Sequence, residues 1–190
     1  MGRYLKLGLV LLLVLCLVTY MFFKNGPHSF AFAWVLNFAL MMAVFYYTEN
    51  FKPQLTAAYY NVKNWEGGGT IYQWFGVNIF RKILVLVGWE KVIRAASPVK
   101  KNLEAIKYLE YGTRKSEFGH LIIFFIVLIM NLFVVFQYGI VKSLPLFFLN
   151  IVFNVYPIIL QHSPHTNKPY TSQYPRKYDG KNCVAPRIPW

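Results

Sequence analysis

The 190-residue chain sets 20 Lys and Arg against seven Asp and Glu, a formal net charge of +13, while 56% of its residues are hydrophobic and 19% aromatic. A soluble domain rarely unites such basicity with such apolarity, and nucleic-acid binding requires its cations on a water-exposed platform. Here the cations flank apolar runs instead, so the composition indicates a membrane protein and no nucleic-acid partner.

The first apolar run, "LKLGLVLLLVLCLVTYMFF" over residues 5–23, follows Arg3 in the manner of a secretory signal. It is longer than a signal-peptide core and no small-x-small cleavage site follows, so it reads as a retained anchor. A second run covers 30–48, close to the roughly 20 residues needed to cross a bilayer as a helix.

Residues 49–117 carry six of the seven acidic residues and form a separate, polar segment. The three glycines at 67–69 in "NWEGGGTIYQWFG" mark a turn; no Walker Lys accompanies them as a phosphate loop requires. The stretch "FGVNIFRKILVLVGWEKVIRAAS" is apolar but broken by Arg81, Lys82, Lys91 and Arg94. It reads either as an interfacial element whose cations reach anionic head groups or as a small cap packed over the spans. Ser97 and Pro98 suit the cap and first position of a helix over about 99–115.

Two further spans follow at 118–136 and 140–160. Beyond Gln161 the tail 162–190 holds five prolines and no apolar periodicity, which disfavours a packed helix. The expected fold is all-α: a single membrane domain over 1–161, with about four transmembrane helices and an interfacial segment between the second and third. Eighteen of the 20 Lys and Arg fall before or at the start of the first span, between spans two and three, or in the tail. The positive-inside rule then puts both termini and the middle segment in the cytoplasm, for a multi-pass protein of a bacterial-type inner membrane. Cys16 lies within a span and Cys183 in the tail, so no disulfide is expected, and no Cys/His grouping has zinc spacing.

The third and fourth spans carry the chemistry. Glu117 and His120 stand at the mouth of span three, and Asn131, 11 residues after His120, returns to nearly the same helical azimuth. On span four Asn150, Asn154 and Gln161, at spacings of four and seven, share one stripe. A short turn at 138–142 makes the two spans antiparallel neighbours, with His120 level with Pro157, Glu117 level with Gln161, and Asn154 about one turn deeper. A polar seam of this kind faces protein or a wet cavity rather than lipid. It reads either as hydrogen-bonding glue between helices or as a site. In a site, His120 is a general base held by the Glu117 carboxylate, or the Glu-x-x-His pair is part of a metal centre. The spans hold no further carboxylate beyond Glu49 at an edge, which favours the first and argues against a metal.

Three blocks bear a resemblance to a known family. "WE" at Trp65 and Glu66, followed by "IYQWFGV" and "FRKIL", is similar to the membrane-proximal block of the glycosyl-4,4'-diaponeurosporenoate acyltransferase family. "TRKSEFGH" from Thr113 to His120 resembles its Thr, basic, small, Glu-x-x-His signature, and "NVYPIILQ" from Asn154 to Gln161 its Asn, Pro, aliphatic and Gln ending. The resemblance covers about 63–161. It implies a membrane acyltransferase that esterifies a hydroxyl of a glycosylated carotenoid lipid. The catalytic roles fall on His120 and Glu117, with Asn154, Gln161, Arg114, Asn150, Trp65 and Glu66 binding substrate. It also implies an acyl-coenzyme A or acyl-carrier thioester as donor, with membrane lipid and a glycosylated isoprenoid as partners and no further cofactor. After Gln161 the family continues with an Arg-Tyr-Asn-Arg type of sequence where this chain reads "HSPHTNKPY", losing bidentate Arg contacts to a phosphate or carboxylate. The alternative is a non-enzymatic membrane subunit or lipid-binding scaffold.

Overall fold

The computed structural model describes residues 2–60 and 103–162, together with the single positions 82, 86 and 88. Helices α1 (Gly2–Asn25), α2 (Phe30–Phe51), α3 (Leu103–Tyr138), α4 (Ile140–Asn150) and α5 (Tyr156–His162) make up nearly all of them. A 3-10 turn lies at Ala58–Tyr60, and a π-helical stretch at Ile151–Val155 joins α4 to α5. The fold is all-α, and four helical stretches are long and apolar enough to cross a membrane: Gly2–Asn25, Phe30–Phe51, Glu110–Tyr138 and Ile140–His162. Trp65, Glu66, Arg81, the Ser97–Pro98 cap and the tail from 163 onward lie outside the described residues.

One expectation changes. The helix assigned to 99–115 and the span assigned to 118–136 are parts of one 36-residue helix, α3. The intervening "GTRKSEFGH" is polar but contains no proline. Gly112 and Gly119 cost a helix only about 1 kcal/mol each relative to Ala, so the hydrogen-bond ladder of the span continues outward through the charged residues.

The chain divides into two compact units, one comprising Met1–Leu55 and Lys115–Ile159, the other Thr56–Arg114 and Leu160–Trp190. The first is built from two helical hairpins. Gly26 turns the first with φ +77°, and a Cβ there would meet the His28 ring at 2.8 Å. Ser29 then caps α2 by accepting a hydrogen bond from the Phe32 N–H at 3.1 Å. Gly139 alone turns the second hairpin at φ +86°, its N–H closing on the Val135 carbonyl at 3.0 Å. In both turns glycine supplies the left-handed backbone that other residues adopt only with strain.

The core of this unit joins Phe32, Ala33 and Leu36 of α2, Ile123, Val127 and Val134 of α3, and Leu146 and Leu149 of α4. Helix α1 buries no residue of its own; Val18, Met21 and Phe22 merely lean on the core, and Leu5, Leu9, Leu12 and Leu13 are exposed, as suits a lipid-facing surface. Where α3 passes α2, Gly119 is buried, and a Cβ there would lie 3.2 Å from Val44 Cγ1. The small residue permits the close approach. An ion pair between Lys115 and Glu49 joins the same two helices.

In the second unit Arg114 donates to Glu110 one turn earlier on α3 at 2.8 Å, and its guanidinium lies 5.8 Å from the centre of the Tyr60 ring. Tyr59 meets the His162 ring at 5.2 Å.

Gly119→Leu should force α3 away from Val44 and cost about 1–3 kcal/mol by overpacking. Thermal melts in detergent should show a lowered midpoint that Val44→Ala partly restores; an unchanged midpoint would contradict the close approach.

Candidate functional site within the membrane bundle

A line of buried polar side chains crosses the first unit. Asn37 on α2 is 1% exposed and Asn154, in the π-helical stretch, also 1%. Asn154 Nδ2 donates to Asn37 Oδ1 at 2.8 Å and to Asn150 Oδ1 at 2.9 Å. Each of those amides is anchored on backbone: Asn37 Nδ2 donates to the Ala33 carbonyl at 2.9 Å and Asn150 Nδ2 to the Phe124 carbonyl at 3.2 Å. The remaining polar atom of Asn154, Oδ1, lies 3.4 Å from His120 Nδ1. Three membrane-type helices thus meet at one amide.

The backbone beside Asn154 is shaped for this. Pro157 has no N–H to offer the Phe153 carbonyl four residues back, and its ring would crowd that carbonyl in a regular α-helix. The wider π coil at Ile151–Val155, where the Tyr156 N–H bonds to the Ile151 carbonyl, relieves the crowding. Phe153 itself packs edge-on against Trp34 and Phe38, with ring centres 5.3 Å apart in both cases. An aromatic cluster on α2 and the π stretch therefore flanks the amides.

Sequence spacing brought His120, Asn150 and Asn154 into one neighbourhood, and they share it. His120 meets Asn154, the residue that spacing set about one turn deeper than Pro157. Glu117 is fully buried and makes interactions of its own. Among the described residues, however, the side chain bonded to the ring is Asn154, not Glu117. Neighbours three apart on a helix can touch, but these two do not hydrogen-bond. Asn131 is buried too, and its Oδ1 has no hydrogen-bond partner among the described residues. Arg114 and Gln161 belong to the second unit, where Arg114 is already paired with Glu110. Asn37 was overlooked; its only signal is a lone amide within "FAFAWVLNFALMMAVF". No three His, Cys, Asp or Glu side chains converge among the described residues.

Residues 56–166, more than half of the chain, match the family described as glycosyl-4,4'-diaponeurosporenoate acyltransferase, CrtO. The chain belongs to that family. The CrtO match contains every site residue expected from the sequence, from Trp65 to Gln161, and leaves Asn37 and all of α1 and α2 outside it. It ties the chain to acyl transfer in carotenoid glycoside biosynthesis. Curated proteins and solved structures yield no match.

Asn154→Leu should strand the acceptors of Asn37 and Asn150, at a cost of about 1–3 kcal/mol for an unpaired buried group. Asn131→Leu, which removes an amide whose oxygen is already unpaired, should cost less or stabilise. Denaturant titration in micelles that ranked the two in the opposite order would refute the network.

Proposed function

We propose that this CrtO-family protein transfers a fatty acyl group from a thioester donor to a sugar hydroxyl of a glycosylated carotenoid lipid, with His120 as general base. The observation that carries the reading is the His120–Asn154 contact inside a largely apolar bundle, within the part of the chain that matches the family. An ionisable side chain in a membrane span is expensive to keep and marks function by default.

In the reaction His120 takes the proton of the acceptor hydroxyl as its oxygen attacks the thioester carbonyl. The tetrahedral intermediate collapses with cleavage of the C–S bond. The imidazolium then returns the proton to the departing sulfur, giving an ester and a free thiol. Asn154 holds the ring and stabilises its charged form through the Oδ1 acceptor. Glu117, fully buried one turn earlier on the same helix, is the carboxyl partner of the catalytic pair. The aromatic cluster of Trp34, Phe38 and Phe153 offers apolar faces on which a polyene chain can lie. An acyl-coenzyme A or acyl-carrier thioester is the donor that fits this chemistry. The cations of 81–115 and the tail support an orientation with both ends in the cytoplasm, where such thioesters occur.

His120→Ala should reduce acyl transfer by purified protein about 10²–10⁴-fold, the usual contribution of a general base, with unchanged abundance in the membrane. Turnover that survives the substitution would remove the imidazole from the mechanism. If wild-type protein transfers no acyl group to any glycolipid acceptor, the scaffold reading takes its place.

A further inference from the structure

The hydrogen bonds of the amide line have a direction, and it runs from backbone to imidazole. A backbone carbonyl only accepts, so the Asn37 side chain must turn its NH2 toward Ala33 and its oxygen toward Asn154. Asn150 is fixed in the same sense by the Phe124 carbonyl. Both oxygens therefore face the Asn154 NH2, whose two hydrogens are used at 2.8 and 2.9 Å. Reversing Asn154 alone would set oxygen against oxygen twice. Reversing the whole set would set the Asn37 and Asn150 oxygens against the Ala33 and Phe124 carbonyls. Either arrangement costs buried acceptors their donors, where no water replaces them. The Asn154 oxygen is thus held toward His120 Nδ1, and an acceptor there requires a proton on that nitrogen.

We infer that Asn37 and Asn150 are positioning residues that act through Asn154 to hold neutral His120 as the Nδ1–H tautomer, leaving Nε2 as its basic nitrogen. The inference rests on the proposed role of His120 for its consequence, though not for its geometry. It extends the site to α2, which lies outside the family match. The two amides are parallel anchors. Removing one leaves the other holding Asn154, and removing both lets it turn.

The test is nitrogen NMR on protein labelled with 15N-histidine in micelles, at a pH where the ring is neutral. The chain has four histidines, so the His120 signals are identified by their loss in His120→Gln. Wild-type protein should show a pyrrole-type Nδ1 and a pyridine-type Nε2. Asn37→Ala and Asn150→Ala should each raise the Nε2–H fraction slightly, and the double variant should raise it strongly. In acyl-transfer assays the double variant should lose about tenfold more activity than the product of the single losses, the signature of residues acting on a shared partner. An Nε2–H ring in wild-type protein overturns the relay whether or not the double variant can be purified, and so does a tautomer unchanged in the double variant. The NMR readout needs no substrate. A chain without acyl-transfer activity but with the Nδ1–H ring keeps the relay and loses the enzymatic reading. A chain whose activity depends on His120 but whose tautomer ignores both amides keeps the enzyme and loses the relay.

Discussion

An amide buried at bilayer depth has no water to fall back on, so each of its hydrogens and lone pairs must be met by the protein or go without. The first unit answers that demand with three asparagines whose bonds close on one another and end on two backbone carbonyls, of Ala33 and Phe124. Much else in the unit serves this closure. The φ +86° turn at Gly139 brings α4 back along α3, Gly119 lets α3 approach α2, and the proline-relieving π coil carries Asn154 between them. The apolar contacts around Phe32, Val127 and Leu146 hold the helices together but would tolerate several registers. The amides tolerate one.

This division of labour shows how a defined polar cluster can stand in an oily setting. Hydrophobic packing between helices is weakly directional, and in lipid it lacks the driving force it has in water. Hydrogen bonds supply the missing specificity, fixing azimuth and depth together. A histidine added to such a line inherits a defined orientation that packing alone would not give it. The Glu49–Lys115 pair at the end of the bundle, with both partners partly exposed, adds little to stability by comparison.

Much of this was legible in the residues. Run length marked all four spans, and the stripe of Asn150 and Asn154 opposite His120 showed that two helices turn polar faces to each other. The details that escaped have separate physical origins. Asn37 stands alone among apolar residues, so no periodicity announces it; it takes its meaning only from a partner 117 positions away in the chain. The pairing of the ring with Asn154 rather than Glu117 depends on side-chain rotamers, which spacing does not encode. The fusion of two expected helices into α3 reflects the absence of a proline, a weaker signal than the presence of one.

The one-residue corner at Gly139 also constrains how such proteins can diversify. Elsewhere an inserted residue is absorbed by a loop. Here each added residue would swing α4 by about 100° about its own axis, carrying Asn150 and Asn154 out toward the acyl chains. Length variation in this corner would thus be coupled to loss of the inner polar face. The hairpin is in effect a gauge block that sets the spacing of everything attached to it.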